Sequence, residues 1–255
     1  KLRSIDTGLF QAKTIQSYFR SDGKPGSLEA GLERLCRYAD DAVRDGFQVL
    51  ILSDRAIDSK HAAIPSLLAV SAVHHHLIKT GNRGAVGLVV ESGDAWEVHH
   101  FACLLAFGAT AINPYMALAS IRTMKEQNTL DTELTWPELS KNYVKAVNNG
   151  LLKIFSKMGI STLQSYHGAQ IFEVLGIDKS VVDKFFCGAV SRIGGMTLDD
   201  LAKEALSKHW RGFEKSRTPQ NLLPEGGIYQ WKRRGEGHLW NPDTIHLLQQ
   251  ACRTG

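Results

Sequence analysis

Two short apolar runs constrain the fold more than any other feature of this sequence. Residues 49–52 and 86–90 are almost wholly aliphatic and are too short for helices. Such runs are typical of strands buried on both faces, as in a parallel sheet covered by helices. An amphipathic helical pattern precedes each run, at residues 27–46 and 65–81, and each pattern ends at a glycine. The alternation predicts right-handed βαβ units.

The same alternation continues on both sides of these runs. Residues 12–19 alternate apolar and polar side chains and are predicted to form a strand. A helix over 97–107, a short strand over 110–114 and a helix over 116–126 follow the second apolar run. The predicted fold class is therefore α/β, with a mainly parallel sheet flanked by helices.

The pattern becomes mostly helical after Asn128. Residues 136–158 carry a long amphipathic helix, and 160–163 could form a fourth strand. Short helices are predicted at 169–175, 179–186 and 197–209. Residues 214–226 have the composition of a linker, 228–232 are a possible strand, and a last helix begins at Asn241-Pro242 and runs through Leu248. The C-terminal part is thus expected to be helical.

Composition excludes several classes of protein. With 43% hydrophobic and 22% charged residues in 255, the chain is neither disordered, collagen-like nor a disulfide scaffold. The net charge of +4 is not arranged as a dense basic stripe with interleaved aromatics, so we expect no nucleic-acid partner. No apolar run approaches the ~20 residues that cross a bilayer, so we expect no membrane partner. Since the sequence opens on Lys1 without a methionine, we expect a processed or excised piece.

The cysteines indicate a reducing compartment. Cys36, Cys103, Cys187 and Cys252 are widely spaced and include no CxxC pair. We interpret each as a small buried hydrophobic residue and not as a metal ligand or a disulfide partner. The expected location is the cytoplasm.

Polar side chains follow all three predicted inner strands. The first strand ends in Ser53-Asp54-Arg55, the second in Glu91-Ser92-Gly93-Asp94, and the third in Asn113-Pro114-Tyr115. Because ligands of parallel α/β folds bind at the carboxyl ends of strands, these residues are candidates for a site. The alternative is that they are ordinary turn residues, which also gather at strand ends.

Two groups of histidines and one glycine-rich stretch leave alternatives open. His74-His75-His76 and His99-His100 lack the i, i+4 spacing of a helical metal pair, so hydrogen bonds to neighbouring loops or helix ends are the simpler reading. A metal hydrolase built from one histidine of each group is the less favoured alternative. Residues 191–195, Ser-Arg-Ile-Gly-Gly, could expose backbone N–H groups to an anion or form a tight turn between helices.

Several long strings of this sequence identify a family. They include VLILSDR at 49–55, AIPSLLA at 63–69 and AVHHHLI at 72–78. They continue with ESGD at 91–94, EVHHF at 97–101 and AINPY at 111–115, and then with SKMGIST at 156–162, SRIGG at 191–195 and NPDTI at 241–245. In this order the strings resemble the central domain of the glutamate synthase large subunit, and the resemblance covers essentially the whole chain.

This resemblance implies one domain of a multidomain enzyme that makes glutamate from glutamine and 2-oxoglutarate. In that family an amidotransferase domain releases ammonia, and a later domain carries FMN and a 3Fe-4S cluster. The central domain resembles a reduced version of the FMN-domain (βα) barrel, without FMN. We expect residues 1–213 to be this connecting domain and 214–255 to be a linker and the beginning of the FMN-binding domain.

The fragment itself is expected to be non-catalytic and without a cofactor. The family's N-terminal cysteine nucleophile and the closely spaced cysteines of its iron–sulfur motif are not in this sequence. The expected partners are the amidotransferase and FMN domains of the same polypeptide, with a small reductase subunit or ferredoxin as electron donor. A plastid location would apply in a photosynthetic eukaryote. The alternative function is a self-sufficient flavin-binding barrel-type oxidoreductase domain.

The resemblance also places an ammonia tunnel next to this domain. We expect its wall to come from the loops after the two apolar strands. The candidate residues for the tunnel or the strand-end face are Ser53, Asp54, Arg55, Ala56, Ile57, Ser59, Glu91 and Asp94. Asp54 and Arg55 are expected to pair with each other or with neighbours, so that neither charge faces the passage. The alternative is that this loop only packs against the next domain.

Overall fold

The chain divides into two compact units, which are described separately. A computed structural model describes residues 10–213, 226–227 and 230–254. The first unit is Lys1–Phe213 and the second is Glu214–Gly255.

A four-stranded parallel sheet forms the centre of the first unit. Its strands are β1 (Ala12–Gln16), β3 (Val49–Ser53), β5 (Gly87–Glu91) and β6 (Ala111–Asn113), in that spatial order. Each strand pairs in parallel with the next, so residues Gln16, Ser53, Glu91 and Asn113 lie side by side at the carboxyl edge. Strands β2 (Tyr18–Arg20) and β4 (His61–Ala63), which come after β1 and β3 in the chain, form a separate antiparallel pair.

Helices connect the strands of this sheet. They are α1 (Ser27–Arg44), α2 (Ser66–Lys79) and α3 (Val98–Ala106), with a 3-10 turn at Arg83–Ala85 before β5. The side chains of Ile15, Leu52 and Val90 pack with α1 and α2 in the main core. Strand and helix each bury an apolar face that neither could bury alone, which explains why the short apolar runs become strands. The predicted fold class, a mainly parallel sheet flanked by helices, is confirmed.

The helical segment after the sheet has the predicted extent. Helices α4 (Tyr115–Glu126) and α5 (Trp136–Met158) are followed by the short α6 (Leu163–Tyr166). Thr135 and Glu138 form a capping box that begins α5. The predicted strand at 160–163 is wrong, because the Thr162 hydroxyl accepts from the Ser165 N–H and begins α6 instead.

A second, two-stranded parallel sheet closes the first unit. Strands β7 (Glu173–Ile177) and β8 (Val190–Met196) flank α7 (Lys179–Phe185), and α8 (Leu198–Phe213) follows. The predicted helix at 169–175 is wrong, because positive φ angles at Gly168 and Gln170 interrupt it before β7 begins. The 191–195 stretch lies within β8 and not in a turn between helices. A Cβ at Gly195 would stand 2.5 Å from the Gly176 carbonyl oxygen, so close strand packing explains this glycine.

The described part of the second unit contains helix α9 (Pro242–Thr254). The Asn241 side-chain oxygen accepts from the N–H groups of Asp243 and Thr244 at 2.9 and 3.0 Å, which begins the helix where the sequence predicts. Most of the predicted linker, and Ile228 and Tyr229 of the predicted strand, lie outside the described residues. Residues 230–232 of that strand are not extended into a ladder.

No helix among the described residues is long and apolar enough to cross a membrane. All four cysteines are free thiols, and the expectation that each is buried is wrong. Cys252 is exposed and the other three are half-buried.

Candidate functional site: the carboxyl edge of the parallel sheet

A buried hydrogen bond joins the ends of the two central strands. Ser53 and Glu91 are partners in the register of β3 and β5, so their side chains project from the same face of the sheet. The Ser53 hydroxyl donates to Oε2 of Glu91 at 2.6 Å, and Ser53 is completely buried. This hydrogen bond therefore fixes the ends of β3 and β5 relative to each other, where the two following loops begin.

Arg55 compensates the charge of Glu91. Its Nε donates to Oε1 of Glu91 at 2.7 Å, and the Asn113 side-chain amide donates to the same oxygen at 3.2 Å. The guanidinium carbon lies 3.9 Å from the ring centroid of Tyr115, which is cation–π distance. Both oxygens of this buried carboxylate thus have donors, as a buried charge requires.

Asp54 turns away from Arg55 and forms a separate contact. Its Oδ2 accepts from the Gly93 N–H at 2.7 Å, and the Tyr115 hydroxyl donates to the same carboxylate. Its Oδ1 is buried and has no hydrogen-bond partner within the described ranges. Burial raises the pKa of Asp54, with smaller opposing contributions from these two donors, and burial likewise raises the pKa of Tyr115.

The remaining candidate residues lie outside this network. Asp94, Ala56, Ile57 and Ser59 are exposed. The Asp94 N–H donates to the Ser92 hydroxyl at 2.9 Å, and that hydroxyl lies 2.6 Å from the Ser66 hydroxyl. The Ser59 carbonyl accepts from the Ser21 hydroxyl at 3.0 Å. The structure thus brings Ser53, Arg55 and Glu91 together, places Asp54 beside them, and leaves the others on the surface of the adjoining loops.

Three members of the network were named with the strand ends but are not in the set proposed for the tunnel or the strand-end face. Asn113, Tyr115 and Gly93 each supply a donor or a ring to Glu91, Arg55 or Asp54. Asn113 and Tyr115 follow the third strand, so the strand-end rule that selected the other candidates applies to them too. Gly93 also follows a strand, but its contribution is a backbone N–H, which its residue type does not indicate.

The histidines are engaged in contacts away from this edge. His74 Nδ1 accepts from Arg83 Nε at 2.8 Å, and burial with the nearby Arg83 charge lowers the pKa of His74 to about 3. His76 Nε2 lies 2.5 Å from the Asp40 carboxylate, and His100 Nε2 lies 3.4 Å from that of Glu97. Across the described residues, no group of three or more side chains is placed to hold a metal ion.

Comparison with known proteins decides the family. Residues 1–178 match the model of the glutamate synthase central domain, which is more than half of the chain. This chain belongs to that family. All residues of the carboxyl-edge network lie inside the matched range, whereas β8 and α8 of the same compact unit lie beyond it.

Curated relatives of this central domain are large proteins. It is 45% identical over 226 residues to "Glutamate synthase [NADPH] large chain" of Bacillus subtilis, covering 89% of this chain and 15% of the relative. It is 43% identical over 238 residues to "Glutamate synthase [NADH]" of Schizosaccharomyces pombe, covering 93% and 11%. It is 44% identical over 260 residues to the chloroplastic "Ferredoxin-dependent glutamate synthase" of Spinacia oleracea, covering 98% and 16%. The chain thus spans less than a fifth of these relatives.

Among solved structures, the central domain aligns with a DHODH from Eimeria tenella. The TM-score is 0.40 at 16% identity, covering 64% of this chain and 38% of that chain. A likeness at this level carries no argument about ligands or activity.

Proposed function

We propose that this chain is the connecting domain of a glutamate synthase. In this proposal it joins an amidotransferase domain to an FMN-binding domain in one polypeptide that converts glutamine, 2-oxoglutarate and reducing equivalents into two glutamates. The chain has no catalytic role of its own. Support comes from the family match and from the carboxyl edge, where the candidate chemical groups are committed to one another.

The carboxyl edge is proposed to contribute wall to the passage that carries ammonia between the two active sites. Ammonia must travel as neutral NH3, because an ammonium ion has no lone pair with which to attack a carbonyl carbon. A free carboxylate along the passage would favour the charged form. The observation that carries the proposal is the closed contact of Glu91 with Ser53 and Arg55, which compensates the charge of Glu91.

The wall itself is assigned to the exposed loop residues Ala56, Ile57 and Ser59, whereas Ser53 is completely buried and positions the start of this loop. The surfaces of the three exposed residues are backbone, methyl and hydroxyl groups, which do not trap a small neutral base. Two charged members of the candidate set have partners: Arg55 pairs with Glu91, and Asp54 accepts from Gly93 and Tyr115. Asp94 lies on the next loop and is exposed.

The domain boundaries and cofactors follow the same proposal. Residues 1–213 form the connecting domain, and 214–255 lead into the FMN-binding domain. FMN and a 3Fe-4S cluster belong to that later domain, and the electron donor is ferredoxin or a small reductase subunit. The relatives' names include both NAD(P)H-dependent and ferredoxin-dependent enzymes, so they do not choose between the donors. The proposed location is the cytoplasm, or a plastid in a photosynthetic eukaryote.

A bulky substitution on the loop tests the tunnel wall in the full-length enzyme. With Ser59→Trp, glutamine hydrolysis should continue while glutamate formation from 2-oxoglutarate falls behind. Ser161→Trp is the matched control, since Ser161 is also an exposed serine but lies before α6. If the two rates remain matched one to one in Ser59→Trp, the loop does not line the passage.

A further inference from the structure

A groove lined by α1, α2 and α7 has no role in the proposed function. It has a volume of about 420 Å³ and lies where α1, α2 and α7 meet. Its floor consists of apolar or weakly polar side chains, namely Leu32, Cys36, Ala72 and Phe185. Binding sites for small molecules have this size and this mainly apolar lining.

Two polar contacts flank the groove. Asp40 of α1 lies 2.5 Å from His76 of α2, and Glu29 of α1 lies 2.6 Å from Lys184 of α7. The groove is lined along α1 from Leu32 to Arg37 and along α2 from Ala72 to Lys79, or about 8 and 10 Å at 1.5 Å per residue. This length suits an apolar chain with one head group.

The charges at the two ends differ. At the Lys184 end, that lysine is neutralised by Glu29, and Glu33 adds a negative charge to the lining. At the His76 end, Arg37 and Lys79 line the groove, and neither forms a hydrogen bond or an ion pair with any residue that the structure describes. Cations without partners beside an apolar floor are complementary to an anionic head group with an apolar body.

We propose that this groove binds a small amphipathic anion, such as a medium-chain carboxylate. The anionic head lies between Arg37 and Lys79. The apolar chain runs over Cys36, Ala72 and Leu32 towards Phe185, and Glu33 disfavours a second anionic group at the far end. The half-buried Cys36 thiol serves as part of the floor, since burial raises its pKa to about 12 and keeps it protonated.

Calorimetric titration with dodecanoate, below its micellar concentration, tests the site. The 255-residue chain should bind one equivalent, with unchanged circular dichroism. Dodecyltrimethylammonium, which has the same chain and the opposite charge, should bind at least about tenfold more weakly. The double variant Arg37→Gln/Lys79→Gln should weaken dodecanoate binding by about tenfold. The control Lys141→Gln/Lys153→Gln makes the same change of charge on the exposed side of α5 and should leave the affinity unchanged.

Several outcomes would overturn the proposal. They are the lack of saturable binding, equal affinity for the two surfactants, equal weakening by both double variants, and loss of helical signal during the titration. The titration is repeated on the full-length polypeptide of the proposed enzyme. Binding to the 255-residue chain but not to that longer protein would mean that another domain fills the groove, and would also overturn the proposal.

Discussion

The Nε of Arg55 lies 2.7 Å from Oε1 of Glu91, so a loop residue after one strand is paired with the last residue of the neighbouring strand. Asp54, adjacent to Arg55 in sequence, instead accepts from the Gly93 N–H. The two acidic side chains at this sheet edge thus have different surroundings. Arg55 compensates the charge of Glu91, whereas Asp54 is buried against a backbone N–H and a phenol hydroxyl.

Glu91→Gln should destabilise the fold. The amide cannot accept the donors of Ser53, Arg55 and Asn113 equally well, and it removes the negative charge opposite Arg55. We expect a loss of about 1–3 kcal/mol in the free energy of unfolding. Urea denaturation measures this. Asp94→Asn is the control, because Asp94 is exposed and its substitution should cost less than about 0.5 kcal/mol. Equal midpoints for the two variants would refute the structural role of Glu91.

Ionisation of Asp54 should cost stability. Its pKa is raised in the folded state by burial, so the folded chain holds this proton more tightly than the unfolded chain. The contribution of protonated Asp54 is complete below the unfolded pKa, about 3.9. It is lost as the pH rises through the higher folded value. The stability of Asp54→Asn relative to the unsubstituted protein should therefore rise between pH 4 and pH 7. Urea titrations across that range measure the difference, and a flat or falling difference would contradict the raised pKa.

Gly108→Ala should be strongly destabilising. Gly108 has a φ of +109°, and a Cβ there would lie 2.3 Å from Nδ1 of His74. That nitrogen already accepts from Arg83, whose guanidinium also donates to the Gly108 carbonyl. We expect a loss of at least about 2 kcal/mol, from backbone strain together with the steric clash.

Gly84→Ala serves as its control, since no atom lies within 4 Å of its added Cβ and its φ is not in the left-handed region. Thermal or urea unfolding of the two alanine variants gives the comparison. If Gly108→Ala is no less stable than Gly84→Ala, the packing of His74 against Gly108 is not as described.

The purified 255-residue chain should fold without enzymatic activity. We expect neither glutamine hydrolysis nor glutamate formation from glutamine and 2-oxoglutarate, because the candidate nucleophiles and bases at the sheet edge are engaged with one another. Ammonia release and glutamate formation are measured directly, with circular dichroism to verify folding. Glutamate formed by this chain alone would rule out a purely connecting role.

The two central strands, β3 and β5, were predictable because they are buried on both faces, whereas β1 was predicted from its alternating apolar and polar side chains. Continuous apolar runs such as 49–52 have no other stable place in a small α/β domain. The pair β7 and β8 was not predictable in the same way. Val190 and Ile193 are exposed, and β8 also contains Arg192 and two glycines, so neither periodicity nor hydrophobicity distinguishes this strand from a loop.

The location of the candidate site was predictable, but its pairing was not. Strand ends of a parallel sheet converge by topology alone, which places Ser53 and Glu91 together. Whether Arg55 pairs with Asp54 or with Glu91 depends on how far its side chain reaches across the strands and on the turn at Gly93. The Gly93 N–H donates to Oδ2 of Asp54, and the guanidinium of Arg55 pairs with Glu91. Sequence neighbours are not the guide to contacts at such an edge.

Isotope tracing in the full-length enzyme tests the central claim most directly. Glutamine labelled with ¹⁵N in its side-chain amide is supplied with 2-oxoglutarate, reductant and an excess of unlabelled ammonium. If the loop around Ser59 forms tunnel wall, the unsubstituted enzyme and Ser161→Trp should pass the label to the new glutamate without dilution, whereas Ser59→Trp should release labelled ammonium into solution. Undiluted transfer in Ser59→Trp at the same rate as in Ser161→Trp would contradict the account.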